Sequence, residues 1–110
     1  MFVVANRIPL KDEWLDAFEE RFNACAEYIK QQPGFIQMIM LRPDKANDPH
    51  VIMTTWQSKA AFEYWMQSEN FKLTHRNPMP EEAFSGMNVI EYHEISILIE
   101  KKVTYSEFST

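Results

Sequence analysis

Between Lys11 and Gln32 the chain carries Leu15, Phe18, Phe22, Cys25, Ala26 and Ile29 at helical spacing, with Asp16, Glu19, Glu20, Glu27 and Lys30 between them. A helix with one apolar stripe has to lie against an apolar surface, and its flanks indicate which. Before it, Phe2 to Ile8 alternates Phe2, Val4, Asn6 and Ile8 against Val3, Ala5 and Arg7, the period of a strand. Pro9 closes that strand, and Pro33-Gly34 stops the helix. Asp12 and Glu13 suit the positive end of the helix dipole. The chain therefore begins as a helix laid on a sheet.

The second half repeats the plan. Phe35 to Leu41, apolar except for Gln37, predicts a strand covered on both faces. Arg42 to Pro49 is a run of turn formers joining it to a strand over Val51 to Trp56. His50, beside Pro49 at the rim, is expected to be a solvated loop residue. Ser58 can cap a helix bearing Ala61, Phe62, Trp65 and Met66, and Ser68-Glu69 reads as a second cap that restarts a shorter helix to about His75. Asn77 to Asn88, with prolines at 78 and 80 and Gly86, is a long connection of the kind that walls a site. Met87 to Ile99 predicts a last strand of about 40 Å, long enough to leave its own sheet and pack on a second copy. Residues 100–110 form a polar tail after a single domain over residues 1–99.

The order β-α-β-β-α-β is the ferredoxin-like α+β arrangement, one antiparallel sheet with helices on one face. Its bare face needs cover. Two sheets meeting across a twofold axis supply it, giving a dimeric α+β barrel.

Charge and composition exclude several partners. A net charge of -5 with no basic run longer than Lys101-Lys102 argues against nucleic acid. No apolar run approaches the 18 residues of a membrane span, and the opening lacks the features of a signal peptide. One cysteine, Cys25, forbids an internal disulfide, suits the reducing cytoplasm, and reads as a packed thiol. Eight Phe, four Tyr and three Trp are many for 110 residues, and such side chains fill cores or line pockets for flat apolar ligands.

Three residues stand out against this background. Asn6 breaks the apolar face of the first strand; a buried amide costs about 1 to 3 kcal/mol unless hydrogen-bonded, so it is either a satisfied structural residue or a functional one. Trp65 lies in a core-like stripe, and His75 stands alone. A straight helix would hold these two about 15 Å apart along its axis and roughly 80° apart around it. The break at Ser68 lets both border one pocket.

The first strand reading ANRI with Asn6, the segment WQSKAAFEYW from Trp56 to Trp65, and FKLTH from Phe71 to His75 resemble the IsdG-type haem-degrading monooxygenases of the antibiotic biosynthesis monooxygenase superfamily. The resemblance extends to about Ile99. It implies a cytoplasmic homodimer that opens haem to a linear tetrapyrrole and releases iron, using O2 and an external electron donor such as a reductase. His75 would be the axial ligand of the haem iron, as neutral imidazole with an acceptor on its other nitrogen. Asn6 would reach the distal side, and Trp65 would press on the porphyrin and ruffle it. Phe22, Phe62 and Phe71 would line the haem site. Ala5 stands where some relatives carry an acidic residue, and alternation turns it away from Asn6. A cofactor-free monooxygenase acting on quinol-like or polyketide-like substrates, and a haem-storage protein, are the competing readings.

Overall fold

In the computed structural model, which describes residues 1–101, the alternating opening of the chain becomes β1 (Phe2–Ile8). β1 pairs antiparallel on both sides, with β3 (His50–Trp56) and with β4 (Val89–Glu94). β2 (Phe35–Leu41) pairs antiparallel with β3, so the sheet order is β2-β3-β1-β4. A 3-10 turn over Asp12–Trp14 leads into α1 (Leu15–Lys30). The second helical segment is two helices, α2 (Lys59–Gln67) and α3 (Glu69–Thr74). This is the expected ferredoxin-like α+β arrangement.

Register decides what faces the helices. Phe2, Val4, Asn6 and Ile8 stand opposite Trp56, Thr54, Ile52 and His50 of β3, and the first three also stand opposite Glu94, Tyr92 and Ile90 of β4. Period two puts all of them on one face. The apolar members form two clusters under the helices. Phe2, Val4 and Trp56 pack with Ile29 of α1 and Trp65 of α2 at one end, while Ile8, Leu10 and Ile52 pack with Phe18 and Ala83 at the other. Gly34, at φ +80°, joins α1 to β2, and a Cβ there would lie 2.5 Å from that of Ala61, so only glycine lets α2 come this close. Arg42, just past β2, donates Nε–H to Glu19 Oε2 at 3.0 Å and Nη2–H to Oε1 at 2.7 Å. These hydrogen bonds hold the Glu19 carboxyl below its usual range against the opposing cost of desolvation.

Three expectations are corrected. Within one chain β2 is covered on the helix face only: it is an edge strand, and Ile36, Ile39 and Leu41 are exposed. Its apolar run serves the helices with one set of side chains and leaves the other on the open face of the sheet. β4 does not reach Ile99 but ends at Glu94, because its ladder with β1 runs out where Ile95 N–H donates to the Met1 carbonyl at 2.9 Å. Beyond that point Ile97, Leu98 and Ile99 are exposed. His50 is not a solvated loop residue. It is the first residue of β3, only 1% exposed, and neither ring nitrogen has a hydrogen-bond partner among the described residues. Its ladder position opposite Ile8 draws it under the helix layer, which local sequence does not reveal. The expected polar tail, residues 100–110, lies outside the described residues beyond Lys101.

An unpaired buried imidazole is a cost that an apolar side chain of similar volume removes. His50→Leu should therefore raise stability by about 1 kcal/mol, measured by urea unfolding of the unaltered and substituted chains. A comparable loss would show that the imidazole has a stabilising partner.

Candidate functional site

The two apolar clusters do not close on each other. Between them, and between the helices and the sheet, lies an open cavity of about 640 Å³ whose wall takes Val4, Ile29 and Trp65 from one cluster and Ile8, Phe18 and Ile52 from the other. That volume falls within the range of ordinary small-molecule and cofactor sites. The wall is mostly apolar, so the few polar groups on it set what binds and how.

Asn6 is one of them. It stands on β1 between Val4 of one cluster and Ile8 of the other, and lines the cavity. That position accounts for a polar residue in an apolar alternation. Its Oδ1 accepts a hydrogen bond from Asn88 Nδ2 at 3.0 Å.

The helix layer contributes Trp65 and His75 across a break at Ser68. Ser68 has φ -77° and ψ 155°, an extended conformation that ends α2. Its N–H donates to the Trp65 carbonyl at 3.0 Å, and its hydroxyl donates to the same carbonyl at 2.7 Å. The hydroxyl oxygen in turn accepts from Phe71 N–H at 3.1 Å, capping α3. One side chain thus satisfies the end of one helix and the start of the next. Trp65, 7% exposed, stacks on Trp56 at 6.4 Å and meets the edge of Phe71 at 5.4 Å.

His75 caps the far end of α3 and lines the cavity. Its ring stacks on Phe71 with centroids 4.0 Å apart. Nδ1 lies 2.9 Å from the Phe71 carbonyl oxygen and 2.8 Å from Thr74 Oγ1, whose hydroxyl donates to that same carbonyl at 2.8 Å. A carbonyl can only accept, so the Phe71 contact is a hydrogen bond in the tautomer that carries its proton on Nδ1. Nε2 of the neutral imidazole then keeps its lone pair for a metal or a proton. The Phe71 carbonyl and the Thr74 hydroxyl are the polar groups at Nδ1, and the residue pattern identified neither.

Phe22, Phe62 and Phe71 all lie on the cavity wall. So does Arg21, half-buried on α1 and the one permanently charged side chain on the wall, which makes no ion pair among the described residues. Arg21 and Asn88 were not singled out from the sequence. The first sits among the charged residues of an amphipathic helix, and the second ends a loop with no motif. That loop, expected to wall a site, does line the cavity through Met79, Phe84 and Asn88. It is pinned by Lys11 N–H to the Ala83 carbonyl and Ser85 N–H to the Pro9 carbonyl, both at 2.8 Å. Among the described residues no three His, Cys, Asp or Glu side chains gather as a metal cage. A single imidazole is nevertheless all that an iron already held by a porphyrin requires.

A one-sided helix layer over a four-stranded antiparallel sheet, with an apolar cavity between them carrying a carboxamide and an imidazole, defines a small α+β domain built to hold a sizeable apolar ligand. Residues 1–77 match the family described as antibiotic biosynthesis monooxygenase, and the chain belongs to it. A heme-degrading monooxygenase of Shouchella clausii is 28% identical over 102 residues, covering 89% of this chain and 92% of the relative. A staphylobilin-producing heme oxygenase of Staphylococcus haemolyticus is 33% identical over 79 residues, covering 70% and 75%. Among solved structures, the heme-degrader MhuD of Mycobacterium tuberculosis with two hemes in its active site superposes with a TM-score of 0.74 at 23% identity, over 91% of this chain and all of that one.

Ser68→Ala removes the hydroxyl that joins α2 to α3, a loss of about 1 kcal/mol. Amide exchange at Phe71 to His75 should accelerate about fivefold while the β1 amides keep their protection, and Ser68→Thr should restore it. Unchanged exchange in the alanine variant would show that packing alone sets the break.

Proposed function

We propose that this protein is a haem-degrading monooxygenase that binds haem between the β1 floor and α3 and opens it to a linear tetrapyrrole, releasing iron. The observation that carries the reading is the His75 ring, which lines the apolar cavity while its Nδ1 contacts the Phe71 carbonyl; with the ring proton on Nδ1, Nε2 is the nitrogen available to an iron. The relatives named as haem degraders support the same activity.

Haem, when bound, supplies both the iron that activates O2 and the carbon skeleton that is cut. The chain's own residues supply the rest. His75, on the helix side of the cavity, would hold the iron through Nε2. Asn6 meets the ligand from the sheet side with a hydrogen-bonding amide. Trp65 is fixed between Trp56 and Phe71, so it can press on a porphyrin without giving way. Phe22, Phe62 and Phe71 exclude water from the apolar faces of the ring system. Arg21 is the group suited to a propionate, since a guanidinium pairs well with carboxylates.

The working unit in this reading is a cytoplasmic homodimer served by an electron-donor reductase. The open face of the sheet supports the dimer: Ile39, Leu41 and Val89 lie exposed there, opposite the face that carries the cavity. No helix among the described residues is long and apolar enough to cross a membrane.

Titration with haemin should give a Soret band at one equivalent or more per chain, and ascorbate or a reductase under O2 should bleach it. His75→Ala should change the spectrum and weaken binding by about tenfold or more, 1.4 kcal/mol per decade. An unchanged spectrum in that variant would refute the ligand assignment. Haem that binds but persists under reductant and O2 would indicate storage, and haemin that does not bind would indicate a cofactor-free oxygenase.

Asn6→Ala should keep haem and its His75-ligated spectrum while turnover falls by about 10²-fold, the usual scale for losing one placed donor. Single-turnover bleaching measures it. Full activity in the alanine variant would remove Asn6 from the reaction.

A further inference from the structure

Asn6 has two chemically opposite ends, and the end that faces the cavity decides what it can do. The carboxamide oxygen only accepts hydrogen bonds, and the nitrogen only donates them. Asn88 Nδ2 donates to Asn6 Oδ1 at 3.0 Å, and both residues are on the cavity wall. Backbone placement brings them together: Asn6 is the ladder partner of Ile90, and Asn88 lies two residues from Ile90 along the same chain. The two asparagines are therefore diagonal neighbours on the helix-facing side of the sheet. Among the described residues no other side chain hydrogen-bonds Asn6.

We infer that Asn88 is a positioning residue for Asn6, holding its oxygen so that the Asn6 NH2 group, with its two N–H donors, is turned to the ligand. This rests on the haem reading above and deepens it. An amide free to rotate presents its oxygen as readily as its nitrogen. An oxygen lone pair repels negative charge that builds up on the ligand, whereas an N–H dipole stabilises it. Asn88 therefore selects the useful one of two nearly isosteric orientations, and does so from the loop that walls the cavity.

Three substitutions separate this from a merely structural contact. Asn88→Ala frees the amide. Asn88→Asp reverses it, because a carboxylate can only accept and so draws the Asn6 NH2 away from the cavity. Asn88→Gln retains a donor and should behave like the unaltered chain. The first measurement needs no haem. In 15N-resolved spectra of the full chain, the exchange-protected, downfield side-chain amide proton should belong to Asn88 and should lose its protection in Asn6→Ala. Protection of the Asn6 amide instead would mean that Asn6 is the donor, and would overturn the inference.

The second measurement uses haemin reduced with dithionite under carbon monoxide, a static probe of the dipole on the sheet side. The C–O stretch should rise from the unaltered chain to Asn88→Ala and further to Asn88→Asp, with Asn6→Ala marking the position of no donor. Haem turnover should fall about tenfold in Asn88→Ala, which is 1.4 kcal/mol, and further in Asn88→Asp, with the Soret band and haemin affinity unchanged. Parental stretch and turnover in both variants would overturn the inference. Failure of the unaltered chain to take up haemin would instead overturn the haem reading, and the haem-free amide measurement would still decide the orientation.

Discussion

The hydroxyl of Ser68 is the contact on which the site depends. It donates to the last turn of α2 and accepts from the first turn of α3, so that two short helices meet at a corner. Neither helix is long enough to be stable alone, at nine and six residues, since isolated helices below about 12 to 15 residues are marginal in water. α2 is held by Trp65 in the core. α3 is held by its cap and by α1, where Cys25 Sγ lies 4.0 Å from the Thr74 carbonyl. That contact makes the cysteine a packing group at the seam of two helices. The corner also explains how a tryptophan of the core and an exposed histidine ten residues later come to border the same space.

That space exists because the core is divided. Protein interiors are ordinarily packed to the density of organic crystals, yet here the sheet carries two apolar clusters with a cavity between them. Asn6 lies on β1 between Val4 of one cluster and Ile8 of the other, so the one polar residue in the β1 apolar set falls between the two clusters and lines the cavity. A local violation of the pattern and a global gap in the packing coincide. Such coincidences are where a sequence departs from foldability rules for the sake of function.

How much of this was legible in the sequence follows from the range of the interactions involved. Periodicity is local, so the order of elements, the face of β1 and the break at Ser68 could be read from neighbouring residues. The terminus of β4 depends on where β1 stops pairing, and the exposure of Ile39 and Leu41 depends on β2 taking the sheet edge, neither of which is written nearby. His50 shows the limit most clearly: next to Pro49 it looks like a rim residue, and only its register opposite Ile8 buries it. The cavity follows the same division. Asn6, Trp65 and His75 could be picked out by pattern and resemblance, but Arg21 is one charge among many on its helix. Asn88 becomes visible only when the β1–β4 register brings it beside Asn6.

The two walls of the cavity also differ in how firmly they are built. Asn6 lies on a strand hydrogen-bonded on both sides, with its amide tied to Asn88. His75 lies at the exposed end of a single helical turn and a half, oriented by one carbonyl and one hydroxyl of that same turn. Local stability follows backbone bonding and burial, so the floor is the rigid wall and α3 is the yielding one. A large flat ligand needs an entrance, and the wall that can open without disturbing the sheet is the one that carries His75. Because Nδ1 contacts groups of α3 itself, the ring keeps its orientation to that helix when the helix shifts. The imidazole is thus preorganised relative to its own helix, while the carboxamide of Asn6 is preorganised relative to the sheet.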